Sequence, residues 1–238
     1  MLRCRQNIDA MKIFEDQKII AAFSEASDGD LSFYNMSSEQ VAEIWKSLPA
    51  VSENAMNWPT YGNQVHQDRV FQVTENTPFF LTEKTDGLIT GLTDRPIGVF
   101  SADCLPVLIW CDQAVAAVHA GWRSACMNIV ARAVEQFAEM LQVAPAGLKA
   151  LIGPCIGQCC LEMGDEVYQQ FVEADPAWQR FFKKMGKWHL DLRGLNRWQL
   201  LQAGVSEAGI SDFDHCTYCS ERPFFSFRRQ RQRNGSMF

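Results

Sequence analysis

Three segments of this 238-residue sequence carry side chains that an ordinary apolar core does not need. His66 lies in the stretch NQVHQ, Cys104 in SADCLPVLI and His119 in AAVHAGWRS. Two imidazoles and one thiolate suit borderline-soft Zn²⁺, and three protein ligands leave a fourth position for water. Zinc lowers the pKa of bound water to about 7, which makes hydroxide available at neutral pH. The residue types predict a catalytic zinc site, although hydrogen-bonded core histidines and a small buried cysteine would give the same sequence.

The strands that must bring these ligands together are predicted by the apolar runs around them. Two buried strands are expected in PIGVFSADCLPVLIWC and AVAAVHAGW, separated by the dipeptide DQ, with Cys104 and His119 at strand ends. Because these strands are expected to be neighbours, the side chains of Cys104 and His119 can converge. His66 must come in from a separate turn.

Further strands and helices alternate along the chain. Strands are predicted by VFQVTE, TDGLITG and LKALIGPCIG. Helices are predicted near residues 38–48 and by SACMNIVARAVEQFAEML, DEVYQQFVEA and LNRWQLLQAGV. Because several strands are adjacent in sequence, this order predicts a mixed-sheet, layered α/β fold rather than a regular doubly wound one.

Composition limits the function classes. A hydrophobic fraction of 47% supports a sizeable core, and without an internal repeat or linker a single domain over residues 1–238 is expected. The net charge of −6 argues against nucleic acid or membrane partners and favours a small-molecule ligand. Charged residues interrupt every N-terminal apolar run, so a cytoplasmic protein with reduced thiols is expected. The sequence leaves the oligomeric state open.

Six segments together resemble, in order, the YfiH-like family, which has long been labelled multicopper polyphenol oxidase or laccase. They are NQVHQ, SADCLPVLI, AAVHAGWRS, IGPCIGQCCLEMGDEV, DLRGLNRWQLLQAGV and CTYCSERPFFSFRR. The resemblance covers about residues 60–230, while residues 1–59 are more divergent. It implies a zinc ion held by His66, Cys104 and His119. It also implies a purine nucleoside phosphorylase for adenosine, inosine, guanosine and methylthioadenosine, with adenosine deaminase activity in the same site.

The copper oxidase label requires more histidine ligands than the chain contains. A blue-copper centre needs two histidines and a cysteine, and a copper cluster that reduces oxygen needs several more imidazoles. The whole chain has four histidines. Copper bound at this site could give weak oxidase activity, but the multicopper interpretation is set aside.

The implied activities suggest roles for polar neighbours of the ligands. Asp103 is the candidate proton carrier for deamination, or a turn carboxylate that caps backbone amides. Arg123 is the candidate phosphate clamp, since its fork suits two phosphate oxygens, or a surface salt-bridge partner. Asn63 and Gln64 either bind base or ribose or order the turn at His66.

Trp122 either stacks on a purine or belongs to the core, and His189 and His215 are expected to be structural. The basic run RRQRQR is expected to be a folded edge that contributes Arg228 or Arg229 to the site, rather than an RNA-binding tail.

Several positions depart from the family pattern. Ser124 follows HAGWR and Gln67 follows NQVH, where glycine is usual. The segment FSEASDGDLSFYNM stands in place of an arginine- and glycine-rich TRxGG segment, and the tail RRQRQRNGSMF departs from RRDxxTGR. These departures put the choice of substrate in doubt.

Two cysteine-rich segments, CIGQCC and CTYC, offer a possible second zinc site. Helices are predicted beside both segments and the resemblance supplies no such metal, so buried thiols are expected instead. The cysteines concerned are Cys155, Cys159, Cys160, Cys216 and Cys219.

Two other functions fit the same residues. In a metal-free hydrolase, Cys104 is the nucleophile and His119 its base, as in an amidase that edits peptidoglycan precursors. A non-catalytic nucleoside- or metal-binding protein would bind purines without turnover. His66→Ala separates the first two models, because it should abolish a zinc mechanism and spare a Cys–His dyad.

Overall fold

The structure is a computed structural model. It describes residues 3–5, 12–16, 19–31, 37–48, 51–52, 57–231 and 235–238. Parts of the N-terminal run, of the FSEASDGDLSFYNM segment and of the basic tail therefore lie outside the described residues. Within the described chain, no helix is long and apolar enough to cross a membrane.

Fourteen strands are described. They are β1 (Arg3–Arg5), β2 (Lys12–Asp16), β3 (Ile19–Phe23), β4 (Tyr61–Asn63), β5 (Val70–Gln72), β6 (Phe80–Lys84), β7 (Gly87–Thr90), β8 (Leu105–Cys111), β9 (Ala114–Ala120), β10 (Lys149–Ile152), β11 (Glu162–Met163), β12 (Phe182–Met185), β13 (Lys187–Leu190) and β14 (Ile210–Asp212).

Six α-helices have both ends within the described residues. They are α1 (Ser38–Ser47), α2 (Trp122–Cys126), α3 (Ile129–Leu141), α4 (Asp165–Ala174), α5 (Leu192–Gln202) and α6 (Phe227–Gln230). The helices predicted near residues 38–48 and by DEVYQQFVEA and LNRWQLLQAGV are confirmed as α1, α4 and α5.

A six-stranded sheet in the order β14-β10-β8-β9-β7-β5 forms the centre of the molecule. β8 pairs with β9 and β10 in antiparallel fashion, whereas β10 with β14 and β5 with β7 are parallel pairs. Smaller sheets join β1-β2-β3, β11-β13-β12 and β4-β6. The predicted mixed-sheet α/β fold is confirmed.

The β8–β9 hairpin explains why two ligands approach one another. Val107 and Val118 are partners in register and both are fully buried, as expected for apolar runs in a covered sheet. The first strand is shorter than the apolar pattern predicts, because it begins at Leu105. The chain before it bends at Asp103, whose φ is 90°, and the Ser101 hydroxyl donates to the carbonyl of Cys104.

Helix α3 covers this sheet with the predicted apolar face. Ile129, Ala133 and Phe137 are fully buried, and Leu141 at the helix end is half-buried. The single helix predicted through SACMNIVARAVEQFAEML is wrong, because Asn128 adopts a left-handed conformation (φ 61°, ψ 45°) that divides α2 from α3. Asparagine tolerates this region better than most residues.

Candidate metal centre

Three elements place the predicted ligands around one point. His66 lies in the turn after β4 with φ 62°, Cys104 directly precedes β8, and His119 lies near the end of β9 opposite Pro106. One ligand atom from each of His66, Cys104 and His119 falls within 4.8 Å of the others. The structure therefore brings together the three side chains singled out in the sequence.

A buried carboxylate, Asp86, holds both histidines in place. Its Oδ1 lies 2.8 Å from His119 Nδ1, and its two oxygens accept backbone N–H bonds from Val65, His66 and Gln67 at 2.8–3.0 Å. Because Nδ1 of His119 is engaged by the carboxylate, Nε2 is left to bind a ligand. Burial raises the pKa of Asp86, but the bonds from His119 and the backbone amides outweigh it and lower this pKa.

Asp86 was missed in the sequence, where TDG reads as a turn before a strand. The available signal was its position directly before β7, the strand that pairs with β9 and hence with His119. A carboxylate at the start of a fully buried strand needs partners, and here those partners are the ligand histidine and the ligand turn.

Cys104 and His119 form a polarised pair in the metal-free protein. Burial raises the pKa of the Cys104 thiol, but the charge of His119 and hydrogen bonds from His119 and His66 outweigh burial and lower it to about 6. Burial lowers the pKa of His119, yet Cys104 and Asp86 raise it to about 9. The pair therefore favours thiolate beside imidazolium, and a cation can replace the imidazolium proton.

Gly121 allows the helix start to approach the ligands. A Cβ atom there would lie 2.8 Å from His66 Cδ2, closer than real Cβ contacts allow, and 3.0 Å from Cys104 Sγ. This close approach, the two imidazoles and thiolate, and the Asp86 carboxylate behind His119 all fit a zinc-class divalent ion. The residues present therefore fit the metal that the resemblance implies.

A cavity of about 760 Å³ opens beside the three ligands. This volume is typical of small-molecule sites. One wall is aromatic, with the Tyr61 ring 5.3 Å from both Phe80 and Phe100 between centroids. Burial raises the pKa of Tyr61 to about 12, so its hydroxyl stays protonated.

The arginines predicted for the site separate into two kinds. Arg123 and Arg228 line the cavity and are exposed, and the Arg123 guanidinium lies 4.1 Å from the Trp122 ring centroid. Arg229 instead donates to the backbone carbonyls of Thr217, Tyr218 and Phe224. Among the described residues of the basic run, Arg228 is therefore the arginine that lines the cavity, and the half-buried Trp122 lines it too.

The carboxylate of Asp103 is occupied by partners from the protein. Oδ1 accepts from the Thr217 hydroxyl at 2.6 Å and Oδ2 accepts from the backbone N–H of Arg228 at 2.7 Å. Asp103 is buried at the cavity wall and joins the ligand turn to the start of α6. This is the backbone-capping arrangement, and a proton-carrier role stays a prediction.

Gln64 and Asn63 also line the cavity but differ in their partners. The Gln64 amide donates to the Phe100 carbonyl at 2.8 Å and accepts from the Phe100 N–H at 2.7 Å. These two bonds order the turn that carries His66. Asn63 is exposed and makes a long 3.4 Å bond to the Thr82 carbonyl, so its amide is available to a ligand.

The positions that depart from the family pattern have local roles. Gln67 donates its backbone N–H to Asp86, and Ser124 is buried in α2. Glu25, in the segment that replaces TRxGG, accepts from Arg222 at 2.6 Å. Residues 32–36 of that segment lie outside the described residues.

The expectation of buried thiols is wrong for four of the five cysteines, which are exposed or half-buried. Cys159, Cys160, Cys216 and Cys219 lie within 4.8 Å of one another through their sulfur atoms, and Cys159 and Cys219 are exposed. Only Cys155 is buried as expected. The two segments are turns joined by a parallel bridge between Cys155 and Cys216, so the neighbouring helices do not separate them.

The other histidines lie away from the cavity. His189 is buried, with Nδ1 2.8 Å from the Gln158 carbonyl, and the His215 ring stacks on Phe213 at 4.6 Å. Both fit the structural roles expected for them.

Solved structures place this fold in the YfiH class of proteins. The crystal structure of the Bacillus licheniformis hypothetical protein YfiH superposes with a TM-score of 0.88 and 26% identity, covering 98% of this chain and 96% of that one. Residues 28–238 match the family described as multi-copper polyphenol oxidoreductase laccase. The chain belongs to this family, as the resemblance predicted.

Curated relatives carry enzyme names. Purine nucleoside phosphorylase YfiH of Shigella flexneri is 34% identical over 196 residues, which cover 81% of this chain and 77% of the relative. Adenosine deaminase RL5, from an unknown prokaryotic organism, is 38% identical over 168 residues, covering 66% of this chain and 61% of the relative.

Proposed function

We propose that this protein is a zinc-dependent purine nucleoside phosphorylase with adenosine deaminase activity in the same site. The observation that carries the proposal is the convergence of His66, Cys104 and His119 on a cavity that also holds the side chain of Arg123. The names of the two relatives support both activities, and adenosine, inosine, guanosine and methylthioadenosine are the proposed substrates.

The aromatic wall of Tyr61, Phe80 and Phe100 would bind the purine base. Offset or edge-on aromatic contacts suit a flat heterocycle, and the protonated Tyr61 hydroxyl can donate a hydrogen bond. Asn63 is exposed at the same wall and can donate or accept at the base or the ribose.

Arg123 would hold phosphate against the ribose. A guanidinium fork matches two phosphate oxygens, and the Trp122 ring beneath it limits the orientations it can take. Arg228 supplies a second positive charge at the cavity. Together they would orient the phosphate for attack on the anomeric carbon of the ribose, and the base would leave with the electron pair of the glycosidic bond.

Zinc bound by His66, Cys104 and His119 would supply a Lewis acid and a water of lowered pKa. The chain's own contribution is to fix the ligands. Asp86 sets the ring nitrogen that His119 presents, and the Asp86-capped turn directs His66 toward Cys104. Asp103 would hold α6, and with it Arg228, against the ligand turn.

A second candidate function is supported by the polarised Cys104–His119 pair. A cysteine whose pKa is about 6 is a competent nucleophile in metal-free protein, as an amidase that acts on peptidoglycan precursors would require. The zinc proposal is favoured because His66 and Asp86 complete a ligand set that a Cys–His dyad does not need. Copper oxidation is not proposed, since His189 and His215 lie elsewhere.

The setting proposed for this enzyme is the cytoplasm, with purine nucleosides and phosphate as its small-molecule partners. The net charge of −6 argues against a nucleic acid partner.

Product analysis tests the proposal. Adenosine, inosine, guanosine and methylthioadenosine are each incubated with zinc-loaded protein, with and without phosphate, beside a His119→Ala control, and the products are separated by chromatography. Adenine that requires phosphate, or inosine formed without it, and neither with His119→Ala, is the expected result. No product from any of the four nucleosides would overturn the proposal and favour the cysteine hydrolase.

A further inference from the structure

We propose a second metal site, distinct from the nucleoside site, in which Cys159, Cys160, Cys216 and Cys219 bind one zinc-class ion through four thiolates. The sulfur atoms all lie within 4.8 Å of one another. Cys159 Sγ is 3.6 Å from Cys219 Sγ and 3.5 Å from Cys160 Sγ. A tetrahedron of Zn–S bonds of about 2.3 Å places sulfurs about 3.8 Å apart, so only small movements are needed.

The backbone around these thiols is already arranged for binding. Cys160 N–H donates to the Gly157 carbonyl at 2.9 Å, and Ser220 N–H donates to the Cys216 carbonyl at 3.0 Å, which closes a turn over each cysteine pair. The Gly157 N–H also donates to Cys216 Sγ at 3.2 Å. An amide that points at sulfur stabilises a thiolate, and this contact links the two turns directly.

Gly157 favours that approach. A Cβ atom there would lie 3.2 Å from Cys159 Sγ and 3.3 Å from Cys216 Cβ, which is tighter than nine in ten real contacts. Glycine therefore lets the two cysteine turns meet.

Charge and chemistry select the ion. Four thiolates around a divalent cation carry two net negative charges, and the Arg229 guanidinium donates at 3.1 Å to the carbonyl of Tyr218, in the turn that carries Cys216 and Cys219. Soft sulfur ligands in a tetrahedral set select zinc or iron over magnesium or calcium. Cys155 is excluded from the set because it is buried and its Sγ accepts a hydrogen bond from the Arg193 guanidinium. On binding, the thiols release their protons to solvent.

This site would stabilise the wall of the nucleoside cavity. The first turn contacts the Asp103 carbonyl through the Ile156 N–H at 2.9 Å. The second contacts the Asp103 carboxylate through Thr217. An ion that joins these turns would therefore fix the residue next to Cys104 without touching substrate.

Metal content tests the site directly. The full chain is purified under reducing conditions, loaded with zinc and freed of loose ions by gel filtration, and zinc per chain is measured. Two ions are expected in the wild-type protein, one in His66→Ala and one in the double variant Cys159→Ser/Cys219→Ser. The matched control Cys111→Ser should keep two.

Cobalt substitution keeps the test independent of the cysteine variants. In His66→Ala, whose first site is removed, the remaining Co²⁺ is expected to give the intense sulfur-to-cobalt charge-transfer absorption of a thiolate-rich tetrahedral site. The proposal is overturned if the double variant Cys159→Ser/Cys219→Ser keeps as much zinc as the wild-type protein with all thiols reduced, or if His66→Ala binds no cobalt. A disulfide between Cys159 and Cys219 that persists under reducing conditions would overturn it as well.

Discussion

Asp86 and His119 are joined by a 2.8 Å bond between Oδ1 and Nδ1, at a position where both side chains are buried. The same carboxylate caps the turn that carries His66. One side chain therefore controls two of the three ligands. Because Asp86 lies outside the cavity lining, its effect on catalysis is exerted through the ligands.

Asp86→Asn is expected to weaken zinc binding at the first site by about 10- to 100-fold, since partners of metal-bound histidines typically contribute that much. Titration against a chromophoric chelator measures the affinity. The control is Asp68→Asn, because Asp68 is a half-buried carboxylate 3.5 Å from Arg132 and makes no hydrogen bond to the ligands within the described residues. An unchanged zinc affinity in a folded Asp86→Asn protein would contradict this role.

Arg123→Ala is expected to lower kcat/KM for phosphate by about 10- to 100-fold, in line with the loss of a charged hydrogen bond of about 1.5–3 kcal/mol. Initial rates of inosine phosphorolysis at varied phosphate measure this change. Adenosine deamination without phosphate should fall much less. Arg132→Ala, on the exposed face of α3, serves as control, and an equal loss in both activities would argue against a phosphate clamp.

Metal-free protein is expected to react with iodoacetamide at Cys104. Because the Cys104 pKa is lowered to about 6, the thiolate predominates above pH 6, and the rate should fall as the pH drops through that value. Peptide mass mapping measures the modification. Cys155, whose pKa burial raises to about 12, should stay unmodified in the folded protein.

Zinc should protect Cys104, since the thiolate is then a ligand. Alkylation of Cys104 that inactivates metal-loaded protein would instead favour the cysteine hydrolase.

Asn128→Ala is expected to destabilise the protein by about 1–2 kcal/mol, because alanine pays the cost of a left-handed backbone at φ 61°. Asn128→Gly should be close to neutral, since glycine adopts this conformation freely. Urea unfolding of the two variants measures the difference. Equal stability of the two variants would show that backbone conformation is not the reason for asparagine here.

The β8–β9 hairpin and the ligands at its strand ends were predictable because they depend on local sequence patterns. Apolar runs gave the paired strands, and Cys104 and His119 sat at their ends. His66 was singled out by its residue type and then assigned as a ligand by the family resemblance, since its turn has no periodic signal that relates it to the hairpin.

The parts that escaped prediction depend on contacts between distant segments. Asp86 resembles any turn carboxylate until β7 is paired with β9. Asn128 interrupts a continuous amphipathic pattern through one backbone angle. The four clustered cysteines come from two turns about 60 positions apart, as the Cys159–Cys219 pair shows, and no local rule relates them.

The measurement that tests the central claim most directly is the return of inosine phosphorolysis as metal-stripped protein is reloaded with zinc. Wild-type protein and His66→Ala are compared at matched zinc per chain. The account predicts that hypoxanthine formation follows zinc occupancy in the wild-type protein and stays at background in His66→Ala. Full activity of the stripped protein, or activity retained by His66→Ala, would contradict it.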